Sequence, residues 1–359
     1  MAARADDTSV PGTPRRILVT RIRRIGDVIL TLPLVDALRD SFPDAEIDYL
    51  AEREPAKAVE GHPAVRRVLE YRPGSWPGLP APPDLLARLR AARYDWVLDL
   101  YGNPRSALLA RITGARVRVG PGRRGRRRLY THAIPPVQEP LSAVEHHLAA
   151  LRALGLTPRS RPPRIHLRDT ERARGAARLD QAAPPGAPRV GLHVGNRWPA
   201  KRWPEERFEA LLRALPRLGA RGIVLAGPGE EATARRVAAG ARHAAGTAEP
   251  PVIAGLPLRD YFGVVAALDA LVTNDGSPLH AGPALGVPTV GILGPTVPEI
   301  WFPYAAEHGH QLLAKEIWCR PCHRHECARL DCLEWIEVRE ALAAVERALA
   351  RGERIRATA

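Results

Sequence analysis

Short runs of aliphatic and β-branched residues alternate with segments of helical apolar spacing along nearly the whole chain. The runs Arg16–Ile22, Glu46–Ala51, Val65–Tyr71, Trp96–Tyr101 and Arg116–Gly120 read as strands buried on both faces, since their apolar character is continuous. Between and after them, Val28–Phe42, Asp84–Arg93, Pro104–Ile112 and Leu141–Leu154 have helical period. The stretch Pro158–Leu167 (PRSRPPRIHL) has three prolines and no periodicity, which marks a linker. A charged helix, Asp169–Gln181, follows, and Pro184–Pro188 breaks it. The alternation then restarts. Strands are expected at Arg189–Val194, Gly222–Ala226, Pro251–Ala254, Ala270–Asn274 and Thr289–Leu293. Helices are expected at Pro204–Leu218, Glu230–Ala241, Leu258–Leu268, Pro278–Leu285 and Val338–Arg351. Strand–helix alternation builds parallel sheets covered by helices. The chain is therefore predicted to be α/β, with two doubly wound Rossmann-like domains facing a central cleft. Their expected bounds are 15–168 and 189–359, with a disordered lead-in at 1–14 and a linker helix and hinge at 169–188.

The length of 359 residues suits two cores better than one. With 45% hydrophobic and 26% charged residues, wholesale disorder is excluded. No run reaches the ~18–20 apolar residues of a membrane-spanning helix. The opening MAARADDTSVPGTPRR lacks the apolar core of a secretory signal, which points to a cytoplasmic protein. The net charge of +14 raises nucleic acid as a partner. Only three of the 53 basic residues are lysines, however, so the arginine excess is a drift of the whole chain. No run interleaves aromatic and basic residues as a single-strand platform does. The surplus charge fits anionic ligands or an acidic lipid surface, and the local cluster Arg123, Arg124, Arg126, Arg127 and Arg128 is the place for such contacts.

Ligands of doubly wound sheets bind beyond the carboxyl ends of the strands. Three loops there carry chemistry. In Arg21–Asp27 (RIRRIGD), Asp27 opens a helix and reads either as a cap or as a general base near a substrate hydroxyl. In Gly195–Arg207 (GNRWPAKRWPEER), Lys201 offers a compact ammonium and a helix start offers free amides, a pairing suited to phosphate. In Thr273–Gly286 (TNDGSPLHAGPALG), Asp275, Gly276, Ser277 and His280 form a turn able to hold a diphosphate and sugar oxygens. Ser277 lacks the G-x-S-x-G elbow of a hydrolase. The GPGRRG at Gly120–Gly125 is not followed by an apolar helix start, and no P-loop motif occurs. Cys319, Cys322, Cys327 and Cys332 could close a structural zinc site or pack as reduced thiols.

Taken together, these segments resemble the ADP-heptose:lipopolysaccharide heptosyltransferase family. The resemblance runs through RILVTRIRRIGDVILTLPLVDALRDSFPDAEIDYL, GNRWPAKRWPEERF, LAGPGEE, TNDGSPLHAGPALGVPTVGILGPT and the Cys-rich segment. It implies a GT-B fold and an inverting, metal-independent transfer of heptose from ADP-heptose to the lipopolysaccharide inner core. It further implies Asp27 as catalytic base, Lys201 as donor-phosphate ligand, and Glu230 as a ribose contact. Asp275, Gly276, Ser277 and His280 resemble the donor-binding turn. The family usually reads D-[ST]-G-x-x-H there, whereas this chain exchanges the glycine and the hydroxyl. No cofactor is implied, and the acceptor would be lipid A-core at the cytoplasmic face of the inner membrane. Competing expectations are a nucleotide-sugar epimerase or a transferase of another sugar with the same architecture, and a basic nucleic-acid-binding protein.

Overall fold

The computed structural model describes residues 12–72, 79–122, 125–135, 141–242 and 248–358. The chain divides into two compact units, Met1–His166 and Leu167–Ala359. In the first unit the strands are β1 (Arg16–Thr20), β2 (Glu46–Glu52), β3 (Val65–Tyr71), β4 (Trp96–Asp99), β5 (Val117–Pro121) and β6 (His132–Ile134). Its helices are α1 (Ile25–Ile29), α2 (Leu32–Ser41), α3 (Arg53–Ala56), α4 (Pro83–Ala91), α5 (Pro104–Ile112) and α6 (Ala143–Arg152). The six strands form one sheet in the order β3-β2-β1-β4-β5-β6, and every neighbouring pair is parallel.

The second unit opens with α7 (Asp169–Ala182) and repeats the plan. Its strands are β7 (Arg189–His193), β8 (Arg221–Ala226), β9 (Val252–Ala254), β10 (Ala270–Asn274), β11 (Thr289–Leu293) and β12 (Gln311–Ala314). Its remaining helices are α8 (Glu205–Ala214), α9 (Glu231–Ala241), α10 (Leu258–Ala266), α11 (Ser277–Ala284), α12 (Pro298–Trp301), α13 (Asp331–Glu334) and α14 (Val338–Thr358). The sheet order β12-β11-β10-β7-β8-β9 repeats the topology of the first sheet. In each sheet the connection reverses beside the unit's first strand, between β1 and β4 and between β7 and β10. Such reversals leave a crevice at the carboxyl ends of the two strands.

The predicted helix Val28–Phe42 is two helices. Pro33, the second residue of α2, has no amide to continue the ladder, so the helix restarts. Thr31 at the junction donates to the Val28 carbonyl at 2.7 Å and shares a 2.6 Å hydrogen bond with the Tyr49 hydroxyl. The helix expected as a linker, α7, packs within the second unit. A Cβ on Gly175 would lie 2.0 Å from the Gly263 carbonyl carbon, so glycine lets α7 and α10 meet backbone to backbone. The buried Glu171–Arg259 ion pair ties the same two helices. The three-residue β6 and the edge strand β12 had no signal, being short and only partly buried. Among the described residues, no helix is long and apolar enough to cross a membrane.

Candidate active site

The chain leaves β1 at Thr20 and turns into α1, where Asp27 is the third helical residue rather than the cap itself. Its carboxylate accepts the Arg24 amide at 3.3 Å, satisfying one of the free first-turn donors. Its other oxygen pairs with the Arg21 guanidinium at 2.8 Å, and the Asp27 side chain keeps 20% exposure. The cap and base readings are thus compatible: the carboxylate is positioned by the helix start and remains reachable. Arg21 also donates to the Leu100 carbonyl at 2.7 Å and lies 5.3 Å from the centre of the Tyr101 ring. Beside it, burial and the Arg21 charge push the His147 imidazole well below its ordinary value, so it stays neutral.

A residue without a sequence signal organises the neighbouring loop. Asp99 ends β4 fully buried and accepts the Thr20, Ser106 and Tyr130 hydroxyls at 3.2, 2.8 and 2.6 Å. It also accepts the Tyr101 and Gly102 amides at 3.1 and 3.0 Å. The Tyr101, Gly102 and Ser106 donors fix the path of residues 100–106, and the Thr20 and Tyr130 hydroxyls hold the carboxylate itself. The Tyr130 phenol is pushed up by burial and by the Asp99 charge, so it stays a donor.

In the second unit, the loops after β7 and β10 meet at the sheet's reversal point. Lys201 closes a short 3-10 turn, Pro199–Lys201, and its ammonium lies 2.7 Å from Asp275 and 4.6 Å from the Trp198 ring centre. Asp275 is buried at 4% exposure, and Lys201 is partly buried at 13%. Asp275 also accepts the Thr296 hydroxyl at 2.5 Å. Asn196 bridges the two loops, donating to the Asp275 carbonyl at 2.7 Å and accepting the Trp198 amide at 2.9 Å. Asn274 repeats the device, accepting the Trp203 amide at 3.0 Å and donating to the Val194 carbonyl at 2.9 Å. Gly276 precedes α11 in extended conformation, and Ser277 is the first helical residue, so the α11 amides open beside Asp275. His280 lies buried one turn on, its Nδ1 at 2.9 Å from the Tyr304 hydroxyl.

Glu230 stands just before α9 and accepts the Gly227 amide at 2.9 Å. His193 approaches it at 3.5 Å and shares a 3.0 Å contact with the Tyr261 hydroxyl through the other ring nitrogen. Burial pushes the Glu230 carboxyl up, but His193, the Gly227 amide and Arg202 outweigh it and hold it below the ordinary carboxylate range. A Cβ on Gly195 would fall 1.9 Å from this carboxylate, so glycine is what lets the β7 loop pass. The structure therefore gathers Lys201, Asp275, Gly276, Ser277 and Glu230 around the loops of one sheet edge. His193, Asn196, Asn274 and Thr296 hold them there, and of these Asn196 and Asn274 lie in the Gly195–Arg207 and Thr273–Gly286 loops that the sequence singled out.

The four cysteines stand as free thiols. Among the described residues, no three His, Cys, Asp or Glu are placed to hold a metal ion, so Cys319, Cys322, Cys327 and Cys332 do not form a tetrahedral set. Cys332 turns into the core with Leu333 and Ile336, while Cys322 faces solvent. Burial and the other three thiols push Cys332 up to about 11, whereas the Leu330 and Arg329 amides draw Cys327 down. The segment instead braces the Lys201 loop: His325 stacks on Trp198 at 3.8 Å between ring centres, and its carbonyl accepts the Ala200 amide at 3.0 Å. Of the arginine cluster, Arg126, Arg127 and Arg128 form a 3-10 turn, Arg126–Leu129, while Arg123 and Arg124 lie outside the described residues.

Residues 84–332 match the family model described as glycosyltransferase family 9 (heptosyltransferase). The chain is similar to lipopolysaccharide heptosyltransferase 1 of Pseudomonas aeruginosa, 31% identical over 326 residues that cover 87% of each protein. Among solved structures it resembles a family 9 glycosyltransferase from Veillonella parvula, with a TM-score of 0.81 at 22% identity, covering 96% of this chain and 99% of that one. It also resembles the Escherichia coli ADP-heptose lipopolysaccharide heptosyltransferase II, with a TM-score of 0.78 at 22% identity over 94% of this chain and 99% of that one.

Proposed function

The chain belongs to glycosyltransferase family 9, the heptosyltransferases, with the paired Rossmann-like units of the GT-B fold, and on that premise we propose that it moves a heptose from ADP-heptose to the inner core of lipopolysaccharide. The observation that carries this reading is the partly buried Lys201 ammonium, 2.7 Å from the buried Asp275 at the reversal point of the second sheet. A partly desolvated cation beside open helix amides is what a departing diphosphate needs.

In this reading the unit at 15–168 takes the acceptor and the unit at 189–359 takes the donor. Asp27 removes the proton from the acceptor hydroxyl as its oxygen attacks the anomeric carbon from the face opposite the phosphate. The bond from that carbon to the phosphate oxygen breaks, its electron pair leaves with ADP, and the configuration inverts. Lys201 and the α11 amides receive the charge that develops on the diphosphate, a role that a divalent metal fills in other transferases. Before the donor arrives, Asp275 neutralises Lys201; a phosphate would compete for the same ammonium. Gly276, Ser277 and His280 complete the donor turn. The exchanged order relative to the family pattern puts the Ser277 hydroxyl at the first helical position. Glu230, kept ionised by His193 and the Gly227 amide, is suited to accept the ribose hydroxyls. Arg126, Arg127 and Arg128 suit acidic groups of a lipid acceptor, at the cytoplasmic face of the membrane.

The test is ADP release from ADP-heptose with and without heptose-deficient lipopolysaccharide, in buffer containing a chelator. The transferase reading expects release only with acceptor and no loss on chelation. Conversion of the donor without acceptor would favour an epimerase. Preferred binding of a UDP-, GDP- or CMP-sugar would point to another sugar.

A further inference from the structure

Residues 322–325 brace both arms of the Lys201–Asp275 pair. The Cys322 and His323 amides both donate to the Pro295 carbonyl at 3.1 Å, and Pro295 precedes Thr296, whose hydroxyl donates to Asp275. On the other arm, the His325 carbonyl accepts the Ala200 amide at 3.0 Å and the His325 ring stacks on Trp198 at 3.8 Å. The Lys201 ammonium lies 4.6 Å from the centre of that same Trp198 ring. Where this strip sits therefore bears on where the ammonium and the carboxylate stand.

Cys319 and Cys327 flank the strip, one on each side, and both are partly exposed free thiols. Arg329, two residues beyond Cys327, brings its guanidinium to 5.9 Å from the centre of the Trp318 ring, next to Cys319, so the two flanks lie close together. The charge of that guanidinium acts on both thiols. Cys332 is turned into the core, and the backbone of Cys322 is pinned at Pro295, which leaves Cys319 as the partner for Cys327. The Leu330 and Arg329 amides and the Arg324 charge favour the Cys327 thiolate, the form that attacks an oxidant.

We propose that Cys327 and Cys319 are a hydroperoxide-sensitive thiol pair whose disulfide draws the 322–325 strip off the Lys201 loop and weakens ADP binding. The Cys327 thiolate attacks the hydroperoxide: a sulfur–oxygen bond forms, the oxygen–oxygen bond breaks, and the departing oxygen takes up a proton. The Cys319 thiolate then attacks the sulfenic sulfur, and the sulfenic oxygen leaves as water. In all, two thiols give up two electrons and two protons to the hydroperoxide. A disulfide holds its Cβ atoms about 3.5–4.5 Å apart, so closing it pulls on both flanks and moves His325 between them. The proposal rests on the reading of Lys201 and Asp275 as the ADP site and adds a covalent control to it.

The experiment treats the protein with hydrogen peroxide and then with dithiothreitol, maps disulfides by mass spectrometry and measures ADP binding by calorimetry at each stage. The expected result is a Cys319–Cys327 link, a rise of about fivefold or more in the ADP Kd, and full return on reduction. Coupling of this kind is reciprocal, so saturating ADP should disfavour the disulfide by the same factor in a glutathione redox buffer. Cys327→Ser and Cys319→Ser, checked for folding by circular dichroism, should form no link and keep the reduced protein's affinity in peroxide. The mapping and its reversal by dithiothreitol need no variant. Absence of a disulfide, a disulfide mapped to another pair, thiols shielded from peroxide by a bound metal, or a linked protein whose ADP Kd stays within about twofold of the reduced value would overturn the proposal. Failure of the donor reading looks different: the reduced protein itself would not bind ADP.

Discussion

Lys201→Met separates what the Lys201–Asp275 pair does for the fold from what it does for a ligand. Removing one partner strands the other charge, and breaking a buried pair costs about 3–5 kcal/mol. Asp275 is 4% exposed and keeps the Thr296 hydroxyl at 2.5 Å. That remaining bond lowers the expected loss to about 2–3 kcal/mol. For a unit of this size the loss lowers the melting temperature by about 4–12 °C, readable by scanning calorimetry. The double variant Lys201→Met/Asp275→Asn removes both charges and recovers most of the stability, since the amide can still accept from Thr296. ADP affinity should not recover. A charge-assisted bond to phosphate is worth about 1.5–3 kcal/mol, or roughly 10–150-fold in Kd. Stability and affinity must therefore part company in the double variant. A double variant that binds ADP as tightly as the unsubstituted protein would refute the phosphate role. A single variant that melts unchanged would refute the energetic argument for the pair.

Further expectations concern other groups. Asp27→Asn keeps the contact to the Arg24 amide but loses the base, so kcat should fall about 10²–10⁴-fold with ADP affinity unchanged in calorimetry. Arg259, with Arg168 and its amide, holds the Glu171 carboxyl at about 2, below its ordinary 4.5, against the opposing effect of burial. Because the folded value is the lower one, the pair stabilises the protein above about pH 4.5, and that share is lost as the pH falls toward 2. Arg259→Met should be less stable at neutral pH and show a shallower loss through that acid range in denaturant titrations. Partial alkylation at neutral pH, read by mass spectrometry, should label Cys327 well before Cys332, since backbone amides favour the Cys327 thiolate and burial disfavours that of Cys332. Labelling in the opposite order would contradict this.

The elements that were legible in advance are those whose evidence is local. α5 falls at its expected bounds because Pro104 opens it and its apolar residues follow helical spacing. The buried strands β1, β7, β10 and β11 were visible as unbroken aliphatic runs. β6 was missed because three residues with one buried side chain leave no pattern to find. The break between α1 and α2 was written in Pro33, but the apolar period continues across it and outweighs the proline as a signal. The placement of α7 was not legible, because its reason is the fit of Gly175 against Gly263 on a distant helix.

The same division runs through the site. Lys201 and Asp275 stood out from residue type and from their place just after apolar strands, both of which are properties of short segments. Their pairing, and the Asn196 bridge spanning seventy-nine residues to Asp275, exist because parallel pairing of β7 with β10 brings two loops to one edge. The Asp99 network and the Glu230–His193–Tyr261 chain have the same origin. Apolar periodicity is encoded residue by residue, so the order of strands and helices could be read from it directly. Which polar groups are buried together depends on strand order, and a carboxylate with no local partner carries no mark of the donors that folding will bring to it.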